Sequence, residues 1–281
     1  MAAAARRGLR EGERTLDLHG ETRTYQVHVP PAASARGPLP VVFVLHGGGG
    51  SARQVRASTA FDAVADREGF LVVYPDGTGR VAPTWNAGTC CAYAAKHGVD
   101  DVAFFRAMVE ALRKDHSVDP KRIYAAGMSN GGMMSYRLAC EMSDVFAAIA
   151  PVAGVQVAQS CAPREPVSVI HVHGSADDNV PLQGGVGRDA IAGDVRPPVG
   201  PPIQLWAKHD GCSPTPAITR DGAVETHHYA PCTAGAEVVF HLIHGGGHAW
   251  PGGQRRSSSE RANEMQATEV IWSFFARHPK P

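Results

Sequence analysis

The chain has 281 residues, a length that suits one large α/β domain with a core of its own. Its 27 Lys and Arg residues balance its 27 Asp and Glu residues, so it lacks the basic excess typical of nucleic-acid-binding proteins. No apolar run is long enough to cross a bilayer as a helix. We therefore predict no nucleic-acid partner and no membrane span. We also predict a substrate that is neutral, or whose charge is balanced by individual residues of the binding site.

Strands and helices alternate along the predicted chain, because short apolar runs alternate with segments whose apolar residues recur at helical spacing. The predicted strands lie at 23–30, 40–50, 70–77, 122–126, 145–154, 166–178 and 237–253, the last with its loop. The predicted helices lie at 53–68, 99–120, 131–140, 203–211 and 267–278. This alternation predicts an α/β protein with a mostly parallel sheet and helices on both faces.

Two segments fall outside this pattern. The N-terminal residues lack the apolar core of a signal peptide, and we predict a poorly ordered segment at 1–15 before a single domain at 16–281. Residues 183–202 are rich in Gly and Pro and are predicted to form a loop. Their composition fits a mobile lid and a rigid irregular loop equally well.

Clusters of glycine and polar residues follow four of the predicted strands, at 46–50, 127–132, 173–178 and 244–253. In an open parallel sheet, ligands bind at the carboxyl ends of the strands. We therefore expect all four clusters to meet at one edge of the sheet.

Ser129 lies in the sequence GMSNGG, between a predicted strand and a predicted helix. Gly-x-Ser-x-Gly in that context is typical of a nucleophile elbow, a tight turn that presents a serine hydroxyl above the sheet. Gly127 and Gly131 keep the turn free of Cβ clashes. The alternative is a glycine-rich turn whose serine takes no part in chemistry.

A serine nucleophile needs a base and an acid that orients the base. In α/β hydrolases the acid and then the histidine follow the serine in the chain, which predicts Asp177 or Asp178 and then His248. His244, at a strand end, is the alternative base and is expected to be structural. His241 and His244 point to opposite faces of a strand, so we predict no metal site with His248.

The oxyanion of the reaction intermediate needs backbone donors. The amide of Asn130 follows the nucleophile, and the Gly47 or Gly48 amide comes from the glycine run after an early strand. His46 is expected to shape that loop beside the substrate.

No Gly-Lys-Ser/Thr follows the glycine run, which excludes a Walker phosphate loop. We predict no cofactor.

Several segments together resemble the polyhydroxybutyrate depolymerase and feruloyl esterase group of α/β hydrolases, which is related to the first carbohydrate esterase family. They include LHGGGG, GFLVVYPDGTG, TWNAGTCCAYA, RIYAAGMSNGGMMSYRLAC, VIHVHGSADDNVP and GGGHAWPGG. The resemblance implies an α/β-hydrolase fold and a triad of Ser129, Asp177 and His248. It also implies that Trp85, Asn86 and Trp250 line the substrate groove.

The function implied by this resemblance is a serine esterase that cleaves a poly(3-hydroxybutyrate)-type polyester. Feruloyl or acetylxylan ester hydrolysis, or peptide hydrolysis, stays open because one triad serves them all. A catalytically silent binding protein also stays open. The sequence shows no polymer-binding module, which favours soluble oligomers, amorphous polymer or small esters, and we predict a monomer.

Six cysteines permit three disulfides or six free thiols, and none forms a C-x-x-C metal motif. They lie at positions 90, 91, 140, 161, 212 and 232. We favour disulfides, and hence a secreted or periplasmic protein, with Cys212 and Cys232 as the first expected pair.

Overall fold

The computed structural model describes residues 11–18, 20–31, 33, 37–158, 160–188, 193–254 and 264–281. The strands of its sheet are β1 (Gly12–Leu18), β2 (Glu21–His28), β3 (Leu39–Leu45), β4 (Leu71–Pro75), β5 (Val118–Met128), β6 (Ala148–Val152), β7 (Ser168–Gly174), β8 (Ala217–Asp221), β9 (Val224–Tyr229) and β10 (Val238–Ile243). The helices are α1 (Ala52–Thr59), α2 (Phe61–Glu68), α3 (Ala92–Lys96), α4 (Asp101–Asp115), α5 (Asn130–Glu141), α6 (Gly200–His209) and α7 (Ala267–Arg277). Among the described residues, no helix combines the length and apolarity that crossing a bilayer requires.

The strands form a single sheet in the order β1-β2-β4-β3-β5-β6-β7-β10-β9-β8. The six central strands are parallel to one another: β4, β3, β5, β6, β7 and β10. At one edge β1 and β2 pair antiparallel, and at the other β9 and β8 do. Every residue of β3, β4, β6 and β7 is buried, as expected for parallel strands covered on both faces. The predicted mostly parallel sheet is confirmed.

Two hydrophobic cores lie on opposite faces of this sheet. In β3, Val41 and Phe43 point into one core and Val42 and Val44 into the other, because successive side chains of a strand alternate. Helices α4, α5 and α6 contribute to the first core, and α1, α2 and α7 to the second. The prediction of helices on both faces of the sheet is therefore confirmed.

The sheet has three edge strands, β1, β8 and β9, that the sequence did not predict. Strand β1 includes residues 12–15, which we expected to be poorly ordered, so that expectation is wrong for these residues; residues 1–10 lie outside the described part. The hairpin of β8 and β9 was also missed, although Asp221-Gly222 is a hairpin turn signal. All three strands expose much of both faces, and their sequences therefore lack a long apolar run.

The helix predicted at 53–68 is two helices. Ala60 adopts the left-handed conformation (φ 57°) between α1 and α2. The Thr59 hydroxyl donates to the Val55 carbonyl (2.8 Å), and the Thr59 carbonyl accepts a hydrogen bond from Thr268 at the start of α7. A distant helix therefore satisfies a carbonyl at the break, and no Gly or Pro in the sequence marks this position.

Three disulfides link the six cysteines: Cys90–Cys91, Cys140–Cys161 and Cys212–Cys232. The predicted pairing of Cys212 with Cys232 is confirmed. Part of the loop predicted at 183–202 is structured, because α6 begins at Gly200 with prolines in its first turn, while residues 189–192 lie outside the described part.

Candidate active site

A cavity of about 430 Å³ lies at the carboxyl edge of the sheet. His46 and the following glycines come from the end of β3, Ser129 from the end of β5, and His248 from the loop after β10. Asp177, after β7, lies just behind His248. The four predicted clusters meet at one edge, because parallel strands all end on the same side of a sheet.

Ser129 sits on a strained turn between β5 and α5, with φ 56° and ψ −122°. A non-glycine residue at positive φ is uncommon and costs energy, and such strain clusters at functional sites. A Cβ at Gly127 would lie 2.4 Å from the Gly131 backbone, and one at Gly131 would lie 2.5 Å from the Leu45 carbonyl oxygen. Both glycines are therefore required by close backbone approach, and the turn has the geometry of a nucleophile elbow.

The Asp177 carboxylate holds the His248 ring. Its Oδ2 accepts a hydrogen bond from His248 Nδ1 (2.8 Å), and its Oδ1 accepts the amides of Asn179 (2.9 Å) and Val180 (2.8 Å). Burial would raise the pKa of Asp177, but the hydrogen bonds from His248 and Val180 outweigh it and lower that pKa. A charged carboxylate accepts only, so Nδ1 carries the proton and Nε2 of the neutral ring is an acceptor.

The alternative residues lie elsewhere. Asp178 is half exposed and forms an ion pair with Arg188. His244 Nε2 bonds Glu225 Oε2 (3.0 Å), and His241 Nδ1 bonds the Thr226 hydroxyl (2.8 Å). The structure therefore brings Asp177, rather than Asp178, to His248.

A second Ser and His pair lies in β7, but it is buried away from the cavity. Ser168 Oγ accepts the amide of Glu237 (3.2 Å), while the His171 ring bonds Tyr136 Oη (2.8 Å) and His173 (3.2 Å). Neither Ser168 nor His171 lines the cavity that Ser129 and His248 share. These two side chains have structural partners and no access to a substrate.

The predicted oxyanion donors border the cavity next to Ser129. A Cβ placed on Gly47 would lie 3.3 Å from Ser129 Cβ, which shows how closely this loop approaches the serine. The amides of Gly49 and Gly50 are bonded to the carbonyls of Pro83 and Gly47. Within the described part of the chain, the amides of Gly47, Gly48 and Asn130 have no backbone acceptor. The Asn130 amide also lies in the first turn of α5, where backbone amides have no carbonyl partner within the helix.

His46 links the glycine loop to the turn after β4. Its Nε2 accepts the amide of Gly77 (2.9 Å), and Nδ1 donates to the Gly47 carbonyl (2.7 Å). Burial lowers the pKa of His46, which keeps the ring neutral and suited to one donor and one acceptor role. The ring therefore fixes the loop that carries Gly47 and Gly48.

The predicted groove residues divide between the cavity and the core. Trp85 is completely buried, and its indole N–H donates to the His46 carbonyl (2.9 Å). Asn86 bonds the Val99 carbonyl through its side chain (2.9 Å). Neither residue lines the cavity, so the structure does not place Trp85 or Asn86 against a substrate there. Trp85 instead supports the glycine loop from behind. Trp250 does line the cavity, although its indole N–H bonds Thr268 (3.0 Å).

The cavity also contains a charged residue that the sequence did not indicate. Arg196 lies in the Gly- and Pro-rich segment before α6 and contributes to the cavity wall. Nothing in the composition of that segment marks Arg196 as a site residue, because its position depends on how the segment folds back across the sheet edge.

The fold and this edge of the sheet define an α/β-hydrolase-type protein. The family model described as Esterase PHB depolymerase matches residues 23–205, and the chain belongs to this family. The chain is accordingly a carboxylic ester hydrolase.

Two relatives agree with this assignment, and one solved structure shares the fold. The protein NocK of Nocardia uniformis subsp. tsuyamanensis, described as a candidate esterase, is 34% identical over 85% of this chain and 74% of its own length. Feruloyl esterase B of Piromyces equi is 32% identical over 79% of this chain, which spans only 42% of that protein. Acetyl xylan esterase from Aspergillus awamori has the same fold, with a TM-score of 0.64, 14% identity, and coverage of 94% of this chain and 98% of its own.

Proposed function

We propose that Ser129, His248 and Asp177 form a catalytic triad that hydrolyses carboxylic esters through an acyl-enzyme. The observation that carries this proposal is the 2.8 Å hydrogen bond between His248 Nδ1 and Asp177 Oδ2, beside a cavity that His248 and Ser129 both line. The strained turn at Ser129 supports the same assignment.

The reaction follows from these roles. His248 Nε2 takes the proton of Ser129 as Oγ attacks the ester carbonyl, and the amides of Asn130 and of Gly47 or Gly48 bind the oxyanion. His248 then donates the proton to the leaving alcohol. Water, activated by the same ring, attacks the acyl-enzyme and releases the acid. Asp177 stays ionised throughout and stabilises the charged ring of His248.

The substrate that we propose is a poly(3-hydroxybutyrate)-type polyester or its oligomers, supported by the family match over residues 23–205. A second candidate is a feruloyl ester of plant cell-wall polysaccharide, supported by the 32% identity to Feruloyl esterase B of Piromyces equi. The triad is compatible with both, because specificity depends on the rest of the pocket.

A mixed-substrate incubation separates these candidates. The enzyme is incubated with amorphous polyhydroxybutyrate and feruloylated arabinoxylan together, with Ser129→Ala in parallel, and the released acids are identified by chromatography. Serine-dependent release of 3-hydroxybutyrate or its oligomers supports the polyester. Serine-dependent ferulate without hydroxybutyrate rejects the polyester in favour of the second candidate.

Ser129→Ala is expected to lower kcat on a p-nitrophenyl ester by several orders of magnitude, on the order of 10⁶ as in other serine triads. The reason is that, among the described residues, Ser129 alone places a nucleophilic side chain on this turn. A fluorophosphonate probe should label the wild type and leave the variant unlabelled. A variant that keeps more than about a tenth of wild-type activity rules out Ser129 as the nucleophile, and an unlabelled wild type favours a silent binding protein.

We also propose that the protein acts outside the reducing cytoplasm. The three disulfides support this location, because such bonds persist in oxidising compartments. Fractionation of the producing cells tests the proposal, and enzyme recovered only from the cytoplasmic fraction contradicts it.

A further inference from the structure

Arg196 brings a guanidinium to the cavity wall, and its ion-pair partner Asp194 lies outside the lining. Of the described residues that line the cavity, Arg196 is the sole Lys or Arg, and none is Asp or Glu. Ser129 and His248 line the same cavity as Arg196. Arg196 Nη2 lies 3.8 Å from Sγ of Cys91, another residue of this lining, which places the guanidinium beside the space where the ester must bind. A carboxylate or another strong hydrogen-bond acceptor on the substrate would complement this charge.

The hydrogen bonds of Arg196 are incompletely satisfied. The residue is 5% exposed; Nη1 forms an ion pair with Asp194, and Nη2 lies 3.8 Å from Cys91 Sγ. Its Nε is buried without an acceptor among the described residues. A guanidinium has five N–H donors, and disulfide sulfur is a weak acceptor. Nε is itself enclosed, so the donors left for a ligand are the second N–H groups of Nη1 and Nη2, which have one partner each.

The backbone holds Arg196 in place before any ligand binds. Its amide donates to the Gly185 carbonyl (2.8 Å), and its carbonyl accepts the Gly185 amide (2.9 Å). The amide of Val199 bonds the Leu182 carbonyl (3.0 Å), which ties the same segment a second time. A site held by its supporting backbone in this way loses little entropy when it binds a ligand.

We propose that Arg196 binds a carboxylate of the substrate, so that the preferred esters carry a free carboxylate near the scissile bond. This inference rests on the proposed triad at the same cavity. A short oligomer of a hydroxy acid has this chemistry, because the residue that leaves as the alcohol also bears the chain-terminal carboxylate. A half-ester of a dicarboxylic acid carries the charge on the acyl side instead.

Two matched substrate pairs test both sides of the scissile bond. The first pair is the linear dimer of 3-hydroxybutyrate and its N-methylamide, which share the inner ester and differ in the charge on the alcohol side. The second pair is the p-nitrophenyl half-ester of succinate and p-nitrophenyl butyrate, which differ in the charge on the acyl side. Wild type, Arg196→Gln and Arg196→Lys are compared by kcat/KM. Arg188→Gln is the matched control, because Arg188 is largely exposed and lies outside the cavity.

In at least one pair, the wild type should prefer the charged member. Arg196→Gln should lower kcat/KM for that member about ten- to a hundredfold, the usual effect of losing a charged hydrogen bond, and change the neutral member by less than about threefold. Arg196→Lys should keep part of the preference, and Arg188→Gln should match the wild type. The pair that responds identifies the side of the ester that carries the carboxylate.

Two results would overturn the proposal: a wild type without preference for the charged member of either pair, or an Arg196→Gln variant that loses both members of a pair equally. The wild-type comparison holds even if Arg196→Gln fails to fold, which a thermal melt reveals. If the wild type hydrolyses none of the four esters, the proposed triad fails. If it hydrolyses the neutral esters but ignores charge, only the role of Arg196 fails.

Discussion

At Asp177 two opposing effects act on one carboxyl group. Burial disfavours its charge, while the hydrogen bonds from His248 and from the Val180 amide favour it, and the net effect lowers its pKa. An orienting residue must be charged, because the Asp177 carboxylate accepts a hydrogen bond from His248 Nδ1 and stabilises the ring when the ring becomes charged. Asp178, one residue later, faces solvent and pairs with Arg188.

A buried chain of hydrogen bonds supports the turn that carries Asp177. Tyr136 Oη bonds His171 Nδ1 (2.8 Å), His171 Nε2 bonds His173 Nδ1 (3.2 Å), and His173 Nε2 bonds the Val180 carbonyl (2.8 Å). If each group donates to the next, every ring has one donor and one acceptor role and stays neutral. Burial lowers the pKa of both histidines, which is consistent with neutral rings.

His248→Ala is expected to lower kcat/KM on p-nitrophenyl butyrate by several orders of magnitude, on the order of 10⁶, because the serine then has no base. His244→Ala is the matched control and should stay within about threefold of wild type, since surface changes away from a site have small effects. His244 bonds Glu225 rather than Asp177. An inactive His244→Ala beside an active His248→Ala would assign the base to His244.

At the scale of elements, a buried ion pair joins β2 to α4. Arg23 Nη2 bonds Asp101 Oδ1 (2.8 Å), and both side chains are almost completely buried. Burial raises the pKa of Asp101 even though Arg23 lowers it. The other oxygen of Asp101 accepts the Asn86 amide (2.8 Å), so the pair also holds the loop behind the glycine run.

Arg23→Met is expected to lower the free energy of unfolding by about 3–5 kcal/mol, because it leaves the Asp101 carboxylate buried without its partner. Arg106→Gln is the surface control: Arg106 and Asp144 are both about half exposed, and that pair should contribute no more than about 1 kcal/mol. Urea denaturation measures both variants. Adding Asp101→Asn to Arg23→Met should recover part of the loss, and equal losses in Arg23→Met and Arg106→Gln would refute this account.

At the scale of the whole molecule, two disulfides join parts of the chain that are distant in sequence. Cys140 at the end of α5 is linked to Cys161 before β7, and Cys212 after α6 is linked to Cys232 after β9. Neither pair lines the cavity. Their role is to restrict the unfolded chain and to hold connecting segments against the sheet.

Replacing Cys140 and Cys161 together by Ala is expected to lower the free energy of unfolding by about 3 kcal/mol, the chain-entropy estimate for a loop of this length. The sequence separation of the pair is 21 residues. Urea denaturation under oxidising conditions measures the loss, and kcat/KM on a p-nitrophenyl ester should stay within about twofold of wild type. An unchanged unfolding free energy would show that this bond does not stabilise the protein.

Local patterns in the sequence predicted the features that depend on neighbouring residues. Apolar runs predicted the central strands because a parallel strand is buried on both faces. Gly127 and Gly131 predicted the turn at Ser129 because the backbone approaches itself closely there. The chain order of serine, acid and histidine predicted which loops meet, since parallel strands end at one edge. For these features, the period of the apolar pattern and the size of individual side chains were sufficient to predict the structure.

Other features depend on residues that are distant in sequence. The break at Ala60 receives a hydrogen bond from Thr268, and the buried Trp85 bonds Asn130 and His46. Backbone pairing with Gly185 holds Arg196 at the cavity wall. A tryptophan in a loop has the same sequence pattern whether it faces ligand or core. Only the tertiary structure decides between these outcomes, because burial and hydrogen-bond partners are properties of segments packed together, and no local pattern contains them.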